Sequence, residues 1–199
     1  MGRPLGMRGS DTRERIVAAG RKVFGELGYE GATAEKIADR ASVTRPALRH
    51  HFPSKRAIYD EVLATTTADV TSAARAADRK DTLLDQLTAF LGTVVTSERK
   101  RAPDTASFAA LVLDSYRHPD LKRETCAPRE DTRAFLTAAV GKAAERGELA
   151  DTTDTDAVVE MLFAVMLGAS FYGRLASADT KHSTVVDRLS GLLSGGFRG

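Results

Sequence analysis

The sequence predicts an all-α protein of about nine helices. A three-helix N-terminal domain spans residues 10–70, and a larger C-terminal helical domain spans 80–195. Every long segment carries apolar residues at i, i+3, i+4 and i+7, the spacing of one helix face. No strand-like alternation of any length interrupts them, and no 20–50-residue repeat is present. The polar run Asp78-Arg79-Lys80-Asp81 separates the halves. A chain of 199 residues is long enough for a sizeable core.

Charge is unevenly placed. Residues 1–60 hold 12 Lys/Arg and 7 Asp/Glu, a net +5, and the remainder holds a net −3. The basic end suits a polyanion. No apolar run reaches the roughly 20 residues that span a membrane, so no membrane partner is expected. The first ten residues lack the apolar core of a secretory signal. The single cysteine, Cys126, allows no internal disulfide and fits a reducing cytoplasm. A redox role for Cys126 beside Arg123 and Arg129 has little to recommend it over an inert thiol.

In chain order, residues 1–10 read either as a disordered tail or as an arm whose Arg3 and Arg8 reach a minor groove. Ser10 or Asp11 caps the first helix, whose stripe is Ile16, Gly20, Val23, Phe24 and Leu27. Gly28 stops it, and Tyr29-Glu30-Gly31 is a turn with Tyr29 at a helix seam. Thr33 caps a second helix with an apolar face of Ala34, Ile37, Ala38 and Ala41. Ser42 and Val43 break the pattern. Thr44 caps a third helix, with Pro46 in its first turn, where a missing N–H costs little. Leu48 and Phe52 form its apolar back, leaving Arg45, Pro46, Arg49 and His50 on the other side. A short helix with an apolar back and a basic front, packed across another, is the helix-turn-helix design for a DNA major groove.

Pro53 and Ser54 start a fourth helix, with Lys55 and Arg56 at its N-terminus. Ile58, Val62 and Leu63 carry it toward Arg79, linking the two halves. Leu83 to Val95 follows as an amphipathic helix, and Arg99 to Pro103 as a loop. Phe108 to Tyr116 forms a helix closed by His118-Pro119. Leu121 to Arg146, kinked or split at Pro128, buries Phe135, Leu136, Ala139 and Val140. After the turn Gly147-Glu148-Leu149, Asp154 to Ala176 is apolar almost all round and needs cover on two sides. With Thr184 to Leu193 it gives a dimer face of Val158, Leu162, Val165, Met166, Val185, Leu189 and Leu192, forming a four-helix bundle with a second copy. The alternative for the Met-rich stretch is the wall of a ligand pocket.

The run Thr12 to Ile16, Phe24 to Gly31 and His51-Phe52-Pro53-Ser54-Lys55 resembles the DNA-binding domain of the TetR/AcrR family of bacterial transcription regulators. The likeness covers the first third of the chain. The family usually has Gly in place of Ser42 and Tyr in place of Arg49. The resemblance implies a homodimeric repressor on a palindromic double-stranded DNA operator, released by a small-molecule effector. The expected DNA-binding residues are Arg45 and Arg49 on base edges, Pro46 or Ala47 on thymine methyls, and Thr33, Thr44, His50, His51 and Lys55 on the backbone. No catalytic motif is present. His50 and His51 are adjacent and poor joint metal ligands, so neither enzyme activity, metal nor cofactor is expected.

Overall fold

A computed structural model describes the backbone of residues 5–100, 113–114, 117–118 and 127–175, and side chains over 11–93, the same four positions and 127–168. The described backbone holds seven helices: α1 (Leu5–Gly31), α2 (Ala34–Ala41), α3 (Arg45–His51), α4 (Lys55–Ala77), α5 (Leu83–Lys100), α6 (Ala127–Glu145) and α7 (Thr155–Leu175). Leu113, Asp114 and Arg117 are also helical, and no strand occurs among the described residues. The helix expected over 184–193, with Val185, Leu189 and Leu192, lies outside them, as do Arg3, Cys126 and His182.

Two apolar cores share one helix. Ile16, Val23, Phe24, Ile37, Leu48 and Phe52 meet Ile58, Tyr59, Val62 and Leu63 of α4. Further along, Val70, Ala73 and Ala77 of the same helix meet Leu87, Phe90, Phe135, Leu136, Val140 and Leu162. The Phe90 and Phe135 rings stack at 4.5 Å between centroids. A continuous helix between two cores carries displacement from one to the other, because its hydrogen-bonded backbone resists bending.

α1 crosses α4 closely at Gly20, where a Cβ would lie 2.7 Å from the Ile58 side chain. Arg21 is buried at the same crossing, donating to Thr65 Oγ1 at 2.6 Å and pairing with Asp69 at 3.3 Å. A buried cation needs such partners to avoid a large desolvation penalty. At the other edge, Arg13 forms a two-pronged contact with Glu61 at 2.5 and 2.9 Å. The Arg13 hydrogen bond holds the Glu61 carboxyl below its usual range, and Glu61 raises Arg13 in return.

Several expected boundaries shift. α1 starts at Leu5 rather than Ser10 or Asp11, so residues 5–10 are helical. A helix already nucleated by Asp11 to Leu27 propagates through glycines at about 1 kcal/mol each, which is affordable when nucleation is done. Leu27, placed on the buried stripe, is 44% exposed. Residues 99 and 100 continue α5 instead of starting a loop. Pro128 lies in the first described turn of α6, and residues 121–126, which the expected kinked or split segment includes, lie outside the described residues.

Candidate nucleic-acid interface

Three side-chain caps set the frame. Thr33 Oγ1 accepts the Lys36 N–H at 3.2 Å, Thr44 Oγ1 the Ala47 N–H at 3.3 Å and Ser54 Oγ the Ala57 N–H at 3.1 Å. Each satisfies a first-turn donor that has no helical partner. Between the first two caps, Ser42 takes a left-handed conformation with φ 53° and ψ 49°. Its N–H donates to Asp39 O at 3.1 Å and the Val43 N–H to Ala38 O at 3.0 Å. This pair of bonds is a Schellman close, which normally favours glycine. Arg15 adds a clamp from α1, donating from Nη2 to Ala41 O at 2.6 Å and Ser42 O at 3.1 Å. A cation at a helix C-terminus also meets the negative end of the dipole.

Ser42→Gly is expected to raise stability by up to about 1 kcal/mol, since glycine escapes the left-handed penalty but loses more freedom on folding. A thermal melt checks this; a lower melting temperature would mean that the serine side chain contributes more than its backbone costs.

α3 buries Leu48, and the Phe52 that closes it is buried too, each 2% exposed. The Phe52 N–H donates to Leu48 O at 2.8 Å, and the Arg13 guanidinium lies 4.8 Å from the Phe52 ring centre. Thr44, Arg45, Pro46, Arg49 and His50 are exposed, and Ala47 and His51 half-buried. Arg49, His50 and His51 occupy the last turn, where positive charge is favoured. The His50 and His51 rings meet edge to face at 5.3 Å although adjacent in sequence. Arg45 pairs with Glu35 of α2. These two, with Ala34, Leu48 and Arg49, line a recess of about 120 Å³ between the helices.

Lys55 is held by the fold. Its Nζ donates to Tyr29 O at 2.8 Å and lies 4.2 Å from the Tyr29 ring centre. Behind this point α1 breaks at Gly28 (φ 68°, ψ 176°), and the Tyr29 N–H donates to Asp114 Oδ2 at 3.2 Å. Asp114 is buried, and burial pushes its carboxyl above the usual range despite the Tyr29 N–H, His118 and Arg117. Burial and the nearby Asp114 charge also push the Tyr59 hydroxyl up.

Two family profiles cover this architecture. The one described as bacterial regulatory proteins, tetR family, matches residues 16–62, and the tetracyclin repressor-like C-terminal domain matches residues 77–189. The chain belongs to the TetR family. The transcriptional activator FasR of Mycolicibacterium smegmatis is 38% identical over 72 residues, 36% of this chain and 33% of that protein. The matched region thus spans about a third of that relative's length. The transcriptional repressor BepR of Brucella suis is 28% identical over 165 residues, 80% of this chain and 78% of its own. In fold, the regulator FadR of Bacillus subtilis, solved in complex with stearoyl-CoA, superposes with a TM-score of 0.73 at 15% identity, covering 90% of this chain and 96% of FadR.

Within this TetR-family chain, sequence reasoning missed Arg15, Glu35 and Asp114. Arg15 acts across 26 residues and Asp114 across 85, distances that carry no local signal. Glu35 looks like an ordinary acidic first-turn residue until its contact with Arg45 is seen. On α7, Leu162 and Met166 are buried in the chain's own core and so do not form an open face. Among the described side chains of α7 the exposed positions are Asp156 and the set Ala157, Glu160, Met161, Ala164, Val165 and Gly168, the latter a stripe at i, i+3, i+4, i+7, i+8 and i+11.

Proposed function

We propose that the chain acts as a homodimeric repressor that reads a palindromic operator through α3 and leaves it when a small molecule binds the C-terminal half. The observation carrying this reading is the exposed Arg45, Pro46, Arg49 and His50 set over the buried back of Leu48 and Phe52. Arg45 and Arg49 suit guanine edges, Pro46 and Ala47 thymine methyls. Thr33, Thr44, His50, His51 and Lys55 border the same surface and serve the phosphates. One Lys55 donor is engaged by Tyr29 O, leaving others for phosphate. The α7 stripe with Met161 and Val165 supports dimerisation: its alanines and glycine allow close helix approach, and the two larger side chains supply apolar area. Along α4, Leu63, Thr67, Thr71 and Arg75 line a hollow of about 700 Å³ beside Ala127, where an effector would act directly on the helix that joins the two cores. The stearoyl-CoA seen with the similarly folded FadR makes acyl thioesters a first class to test.

Selection from a random DNA library at physiological salt, with the full chain, tests the reading. The expected product is a palindrome whose half-sites are roughly 34–36 Å apart. Arg49→Ala should weaken that operator by about 10- to 100-fold, as loss of one base contact does, while binding to random duplex changes little. Affinity that vanishes by moderate salt with no motif recovered would instead mark a head that binds DNA by charge alone.

A further inference from the structure

We propose that Glu35 is a positioning residue that sets DNA specificity by holding Arg45; this rests on α3 being the reading helix. Glu35 is an acidic side chain on the surface that faces a polyanion, which works against binding any DNA. Its side chain is 60% exposed and that of Arg45 62%. Exposed pairs of this kind contribute little to folding, so stability does not account for the pair. Arg45 is also the first residue of α3, at the positive end of the helix dipole, where a cation is disfavoured unless compensated. Glu35 supplies that compensation from the neighbouring helix.

The consequence for recognition is geometric. A guanidinium has five donors in a planar fork. With Nη2 in contact with Glu35 Oε1, the remaining donors are left for the O6 and N7 of one guanine. The side chain is thereby kept from swinging to the nearest phosphate, a contact that every DNA sequence offers equally. Arg49, one turn along α3 from Arg45, lines the same recess, so the held Arg45 stands beside a second guanidinium group. Glu35 trades total affinity for discrimination, a repulsive element built against the wrong partner.

The test measures affinity of the full-length protein for its selected operator and for random duplex across a salt series. Wild type is compared with Glu35→Gln, Arg45→Ala and the double variant, each checked for an unchanged melting curve. Glu35→Gln should bind random duplex several-fold more tightly, with a salt slope steeper by about one. Its operator-to-random ratio should fall by about ten-fold. In the Arg45→Ala background, Glu35→Gln should leave the ratio unchanged. An equal gain on both DNAs would reduce Glu35 to a general repulsive charge and overturn the proposal. So would a fall in ratio that persists without Arg45. Loss of operator binding in Arg45→Ala and Arg49→Ala, with Glu35→Gln silent, would leave α3 as the reader and remove only the role of Glu35. Operator binding that survives both arginine variants would move the reading surface elsewhere and take both ideas with it.

Discussion

Phe52→Ala is expected to cost about 3–5 kcal/mol of stability, the range for emptying a buried aromatic site, and to abolish operator binding near physiological temperature. The residue closes α3 and is 2% exposed among Ile16, Ile37, Leu48 and Ile58. Those neighbours come from four different segments, so the cavity cannot be filled by one side chain moving. The Arg13 guanidinium over the ring would also lose its apolar support. Total stabilities of small domains are only about 5–15 kcal/mol, so a loss of this size removes a large part of the total and, at the lower end of that range, leaves a substantial fraction of the protein unfolded. The exposed Arg49→Ala offers the contrast: its stability change should stay within about 0.5 kcal/mol while operator affinity falls. Thermal unfolding and DNA binding measured on both variants separate anchoring from reading. A Phe52→Ala protein that melts within a few degrees of wild type would show that α3 is anchored by Leu48 alone.

What the sequence made legible was local. Thr33, Thr44 and Ser54 each bond to an N–H three residues on, so cap and helix start can be read together. Leu48 and Phe52 are one turn apart, and the break at Gly28 follows from the residue itself. Contacts between distant segments were not legible. Nothing near Arg15 announces that it closes the turn at Ser42, because that depends on how α1 and α2 pack. On α7 the sequence left the direction of each face open for a different reason. With Val158, Val159, Met161, Leu162, Phe163, Val165 and Met166 all apolar, periodicity does not choose a direction. The core of α5 and α6 takes Val159, Leu162 and Met166 and leaves Met161 and Val165 outward. Tertiary packing thus decides between two faces that composition makes equal.

Gly28→Ala is expected to cost about 1–3 kcal/mol and to disturb the joint between the two cores. At φ 68° and ψ 176° the backbone occupies a region that side chains other than hydrogen do not tolerate without strain. A Cβ there would also stand 3.4 Å from Asp114 Oδ1. Relieving the strain requires Tyr29 to rotate, which pulls its N–H from the Asp114 carboxylate. The same movement shifts the Tyr29 ring, 4.8 Å from Tyr59 and 5.7 Å from His118, and the Lys55 seated on it. His118 in turn lies 3.5 Å from Glu30. Asp114→Asn isolates the charge from the geometry, because an amide oxygen still accepts the Tyr29 N–H. Since burial raises the Asp114 pKa in the folded protein, folding favours its protonated form. Its charged form therefore lowers stability as pH rises from the unfolded pKa through the folded one. Asp114→Asn should remove that slope and equal or exceed wild type in stability at neutral pH, whereas Asp114→Ala should be less stable because the Tyr29 N–H loses its acceptor. Melting curves of the three variants between about pH 4 and 8 decide the matter. A slope unchanged in Asp114→Asn would place the titrating group elsewhere, and a Gly28→Ala protein as stable as wild type would mean that the α1 break relaxes without cost.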